Sequence, residues 1–189
     1  MTDLPVLEFR EPVQWAEWLE AHPDEQTGVW LKFAKKGTGV QTVNYAQTLD
    51  EALCFGWIDS VPQKLDEIYY LQKFTPRRPK SVWSLRNTKL VEQFIKDGRM
   101  RPAGQRAIDA AKADGRWDAA YAGQADFEMP DDFMKKLSKY PEGQAFYETL
   151  SRTNKFALYY RLQSAKKPET RAARMEKFIT MLQKREKLY

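Results

Sequence analysis

The chain has little from which to build the commonest reactive centres. In 189 residues it contains one cysteine, Cys54, and one histidine, His22. A single thiol excludes an internal disulfide. One Cys and one His leave a transition-metal site to carboxylates alone, and no acidic set with ligand-like spacing is present. No apolar run approaches the roughly 18 residues that a membrane helix requires, so no membrane insertion is expected. The opening "MTDLPVLEFR" has neither the basic start nor the apolar stretch of a secretory signal, and the expected location is cytoplasmic. The glycines of "KKGTGV" (35–40) lack the spacing and the following Lys-Ser/Thr of a phosphate-binding loop. No cofactor is expected.

What is present is a composition that folds. Hydrophobic residues make up 42% and aromatics 13%, too much for a disordered chain. The length is enough for one core without metal or disulfide support. Lys and Arg exceed Asp and Glu by five overall, but the charges are sorted along the chain. Residues 1–74 carry a net −6, 75–116 a net +7, 117–151 a net −4 and 152–189 a net +8. Two basic blocks either face an anionic partner or neutralise the two acidic ones.

Periodicity gives an α+β chain, with a small antiparallel sheet and packed helices in the N-terminal half and an all-helical C-terminal half. Pro12 suits a first helical position, and Trp15, Trp18 and Leu19 share a face of that helix before Pro23 ends it. "GVWLKFAKK" (28–36) alternates like a strand. Asn44 with Gln47 resembles a capping box ahead of Leu49, Ala52, Leu53, Gly56 and Trp57. "VPQKL" (61–65) and "IYYLQKF" (68–74) read as a hairpin entered by a turn at Asp59. Helices follow from Ser84 and from Pro102. "YAGQADFEMPDD" (121–132) is aperiodic and marks a boundary or loop. Beyond it lie short helices and a last one opened by Pro168, with Met175, Ile179 and Leu182 inward. The expected division is an α+β portion, 1–120, and a helical module, 121–189, forming one compact unit.

The residues able to carry chemistry are few. His22 sits before a proline with no visible partner for general-base work. Cys54 lies beside the inward face of its helix, where a free thiol is usually inert. Asp59, in "FGWIDS" (55–60), either caps backbone amides or projects into a cleft beside Trp57. The most distinctive stretch is "FTPRRPKSVWS" (74–84). Two prolines hold it extended, so Arg77, Arg78 and Lys80 project along a stiff ridge. Tyr69, Tyr70, Phe74 and Trp83 bracket the cations, and Arg86, Arg99 and Arg101 add charge downstream. Cations interleaved with exposed rings suit phosphate pairing with base stacking. The alternative is a structural clamp, with the arginines stacked on rings and paired with acids.

Five stretches carry a resemblance: "ALCFGWIDS", "YYLQKFTPRRPKSVWS", "GRMRPAG", "AAKADGRWD" and "RLQSAKKPETRAARMEKFITML". Together, from about Phe9 to the C-terminus, they resemble the YdeI/OmpD-associated family, whose members are labelled bacteriocin-protection proteins. The resemblance implies a small bacterial stress- or antimicrobial-resistance protein with no agreed catalytic residues.

Three functional expectations follow. In the first, which leans away from an enzyme, the protein binds an anionic partner, a nucleic acid or other polyanion. Its basic, aromatic surface comprises Arg77, Arg78, Lys80, Trp83, Arg86, Trp57, Asp59 and Tyr70, with Arg171, Arg174 and Lys177 as a secondary basic face. In the second, a phosphate-bearing or carboxylate ligand occupies a pocket around Trp57, Asp59, Arg77 and Trp83, as substrate or ligand. In the third, resistance works through a protein partner alone, with exposed aromatics as anchors.

Overall fold

A computed structural model describes residues 4–189 of the chain. The elements run β1 (Val6–Leu7), α1 (Pro12–Ala21), β2 (Val29–Ala34), α2 (Tyr45–Cys54), β3 (Trp57–Lys64) and β4 (Tyr69–Pro76). There follow α3 (Leu85–Lys96), α4 (Pro102–Ala113), α5 (Asp131–Leu137), α6 (Pro141–Thr149), α7 (Arg152–Gln163) and α8 (Pro168–Gln183). The described chain divides into two units, 4–81 with 87–117 and 82–86 with 118–189.

The first unit holds a four-stranded sheet in the order β1-β2-β4-β3. Its centre is the antiparallel set expected from the alternation, with Leu31 opposite Gln72 and Asp59 opposite Phe74. One edge departs from that expectation: the two-residue β1 joins parallel to β2, which makes the sheet mixed. Side chains alternate across a strand, so this register puts Val29, Leu31 and Phe33 on the same face as Tyr70, Gln72 and Phe74. Trp15 of α1 is the centre of the packing on that face. It is fully buried, its indole N–H donates to the carbonyl of Thr48 at 3.2 Å, and its ring lies within 6 Å of Phe9, Trp18, Trp57 and Phe74. Aromatic edges and faces packed this way combine large apolar burial with favourable quadrupole geometry.

Helix ends follow the local chemistry. Asn44 accepts from the amide of Gln47 and caps α2. Pro12, Pro102, Pro141 and Pro168 open α1, α4, α6 and α8, where a missing amide costs nothing. Two expectations shift here. Gly56 and Trp57 lie beyond α2, because Gly56 adopts a φ of 78° that turns the chain straight into β3. Asp59 is therefore inside a strand, paired with Phe74, rather than in a turn.

In the second unit α5 to α8 enclose a core of Phe133, Leu137, Tyr147, Leu158, Leu162, Phe178, Ile179 and Leu182. Arg171 of α8 grips Asp132 of α5 with both amino groups, the fork geometry that suits Arg to carboxylates. Trp83 and Ser84 join this unit: the amide of Tyr121 donates to Trp83 O, and that of Leu85 to Tyr121 O.

Candidate functional site

Two sequence segments separated by forty residues meet in the first unit, "CFGW" (54–57) and "GRMRPAG" (98–104). The amide of Arg101 donates to Cys54 O at 3.1 Å, and that of Arg77 donates to Gly56 O at 2.9 Å. The approach is so close that a Cβ on Gly104 would lie 2.2 Å from Cys54 O, and one on Gly56 would lie 2.9 Å from Ala103 O. Only glycine lets two backbones come this near.

The close approach sets the first turn of α4 beside Phe55 and Trp57 and leaves a cleft of about 180 Å³. Phe55 and Trp57 give it apolar lining, Leu19, Glu20 and Pro23 contribute from the end of α1, and Arg101, Ala103 and Arg106 form the α4 side. Three sources of positive potential converge. Arg101 lies 5.6 Å from the centre of the Phe55 ring. Arg106 forms no ion pair among the described residues. The start of α4 has no capping side chain and no acid in its first turn, so its free amides add their partial positive charge. Among the described residues the one carboxylate lining the cleft is Glu20, 3.7 Å from Arg101. That pair is 67% and 53% exposed respectively, so solvent screening leaves it weak and an incoming anion can replace it.

The residues singled out in the sequence fall in several places. Trp57 lines this cleft. Asp59, two residues on, accepts a hydrogen bond from the Tyr45 hydroxyl at 2.7 Å. Tyr45 and Tyr70 line a different hollow, of about 630 Å³, around the loop Lys35–Asn44. Tyr70 stacks on Phe33, and burial alone raises its phenol above the ordinary value. Phe74 and Trp83 are buried and present no ring to solvent, so neither serves as the stacking platform expected beside the cations. Arg77 is half-buried with Nε and Nη2 hidden from solvent, whereas Arg78 and Lys80 are exposed. Arg116 supports this loop by donating to Ser81 O at 2.9 Å.

In the second unit Arg86 is exposed. The secondary basic face divides: Arg171 is spent on Asp132, Arg174 donates to Arg161 O and Ser164 Oγ, and Lys177 is left exposed. His22 stacks on Trp18 with ring centres 4.2 Å apart, its Nδ1 2.7 Å from Trp18 O. This geometry makes Nδ1–H the donor. Among the described residues no group of three His, Cys, Asp or Glu could hold a metal ion, and no helix is long and apolar enough to cross a membrane.

Sequence reasoning counted Arg101 only as added charge and missed Glu20, Phe55 and Arg106. A usable signal was there: "RMRPAG" starts a helix at Pro102 with a cation at the cap, where an anion or hydroxyl usually sits.

Residues 7–107, more than half of the chain, match a family described as a domain of unknown function (DUF8412). Residues 126–185 match the family described as "Bacteriocin-protection, YdeI or OmpD-Associated". The chain belongs to the DUF8412 family, and its segment 126–185 is of the YdeI/OmpD-associated type that the resemblance implied. The bacteriocin-protection description thus attaches to helices α5 to α8, while the cleft lies in the segment matched by DUF8412. Searches of the curated proteins and of the solved structures gave no match.

Proposed function

We propose that this YdeI/OmpD-associated protein acts as a binding protein whose first unit takes a small anion with an apolar body, a carboxylate or phosphate monoester on a ring or short chain. The observation that carries the reading is the convergence of Arg101, Arg106 and the uncapped start of α4 over Phe55 and Trp57. Guanidinium groups and free amides supply the donors that a carboxylate or phosphate accepts. The two rings cover the part of the ligand that cannot hydrogen-bond. Held this way the ligand is recognised without being transformed, because the cleft lines up no nucleophile with a general base.

The test is a ¹⁵N NMR titration of the full chain with phenyl phosphate, benzoate and inorganic phosphate. Saturable shifts at the Ala103 and Gly104 amides and the Trp57 indole are expected with the two ring-bearing anions. They should be weaker with inorganic phosphate and lost in Arg101→Ala/Arg106→Ala. Unchanged spectra, or shifts that survive in the double variant, refute the reading.

A polyanion is the second reading, favoured by one observation: Arg78 and Lys80 are exposed on a proline-held loop and pair with no carboxylate among the described residues. With Phe74 and Trp83 buried, such binding would be electrostatic and steeply salt-dependent. A short oligonucleotide whose binding falls with salt and in Arg78→Ala/Lys80→Ala, but not in Arg101→Ala/Arg106→Ala, would favour it.

A further inference from the structure

The second unit contains a cleft that the reading above does not use. Phe156, Tyr160 and Arg161 of α7, with Tyr189, line a hollow of about 270 Å³. The Arg161 guanidinium lies 5.3 Å from the centre of the Tyr189 ring, and its Nη2 donates to the Tyr189 hydroxyl at 3.0 Å. Its Nη1 is hidden from solvent and has no hydrogen-bond partner among the described residues. Among the described residues no carboxylate pairs with Arg161, nor with Arg174, whose guanidinium donates to the backbone carbonyl of Arg161. Two arginines thus stand at one junction of α7 and α8 without a counter-charge among the described residues.

A buried guanidinium N–H without an acceptor is costly, because the charged donor has given up water and received nothing in return. Elsewhere in this unit the protein does supply an acceptor: Arg171 has the Asp132 carboxylate. At Arg161 the neighbours are rings. Phe156 and Tyr160 belong to an aromatic cluster with Tyr121, Phe127 and Tyr159, and Tyr189, 75% exposed, lies over the guanidinium from the solvent side.

We propose that this cleft is a second ligand site, for a small aromatic monocarboxylate. One carboxylate oxygen accepts from Arg161 Nη1, the flat ring lies among Phe156, Tyr160 and Tyr189, and Tyr189 moves as a flap that the ligand partly displaces. A monocarboxylate fits better than a phosphate dianion, because one amino group is left unpaired and no lysine among the described residues lines the cleft. The site stands on its own residues and is independent of the cleft in the first unit.

The experiment is a titration of the full chain with benzoate, followed by the ¹⁵N resonances of the Arg161 guanidinium and the backbone amides of α7, with inorganic phosphate in parallel. Wild type is compared with Arg161→Gln and Tyr189→Phe. The expected result is saturable benzoate shifts at Phe156, Tyr160 and Arg161, weakened about tenfold or more in Arg161→Gln, the loss of one charge-assisted hydrogen bond. Tyr189→Phe removes the acceptor that occupies Nη2, opens a two-pronged contact and should tighten benzoate several-fold. Should Arg161→Gln fail to fold, the Tyr189→Phe comparison decides alone. Benzoate shifts that are absent, or unaltered in both variants, overturn the proposal and leave Arg161 as a packing residue. Shifts from phosphate equal to those from benzoate overturn the ligand class.

Discussion

Gly104 is the position where the cleft geometry is most sharply tested. It is the third residue of α4, and an alanine there would ordinarily favour the helix by about 1 kcal/mol. In this fold the added Cβ would sit 2.2 Å from the backbone oxygen of Cys54 and 2.5 Å from Met100 Sδ. The methionine can swing aside, but the carbonyl at the end of α2 cannot move without carrying β3 with it. Overpacking of this kind typically costs 1–3 kcal/mol, and a contact against backbone belongs at the upper end. Subtracting the helix gain leaves a net loss of about 2 kcal/mol, or a fall in Tm of roughly 4–8 °C for a chain of this size. Thermal and urea unfolding of Gly104→Ala against wild type measure it. Gly123→Ala is the control: Gly123 has no neighbour within 4 Å of its built Cβ and no positive φ, so its variant should stay within about 0.5 kcal/mol. Because α4 must retreat, Gly104→Ala should also lose the phenyl phosphate shifts at Trp57. A variant as stable as wild type, with binding intact, would refute the claim that α4 presses on the end of α2 to shape the cleft.

Other expectations concern single groups. Burial pushes the Cys54 thiol up to about 11, so alkylation by iodoacetamide at pH 8 should be slow in the native protein and fast in denaturant; rapid native labelling would contradict the buried placement. The Arg171 side chain, first by hydrogen bonding, holds the Asp132 carboxyl below the ordinary aspartate value. A carboxyl depressed in the folded state stabilises above its unfolded pKa, and that stability is lost as pH falls through the folded value. Wild type should therefore lose more stability than Asp132→Asn on acidification below about pH 4, the ordinary aspartate range, as read by urea unfolding at several pH values. Asp132 is exposed and Arg171 only half-buried, so the difference should be small and should shrink with salt.

Much of the secondary structure was legible because its signals are local. The alternation of Val29, Leu31 and Phe33, the cap at Asn44 and the prolines that open helices act over a few residues, and each appears where those rules put it. The hairpin was legible too, but not the positions of its ends. Whether Trp57 and Asp59 lie in helix, turn or strand depends on Gly56 taking a left-handed φ, which a helical spacing pattern conceals. The two-residue β1 has no pattern long enough to read and forms because β2 offers a partner.

The functional reading from sequence went to the most conspicuous local feature, the proline-flanked cations of 74–84. Proximity in sequence suggested that those cations share a surface with Phe74 and Trp83. In the fold Phe74 faces α1 from the sheet and Trp83 is hydrogen-bonded to Tyr121 in the other unit, so both rings turn inward. The sequence by itself determined the α+β composition, most of the helix starts, the aromatic core-forming positions and the family. Tertiary structure alone decided which segments touch: Cys54 with Arg101 and Gly56 with Ala103 through their backbones, and Arg161 with Tyr189 through their side chains. Propensity and capping act through bonds and one helical turn, whereas a cleft is made by segments tens of residues apart whose approach is set by how the whole unit packs.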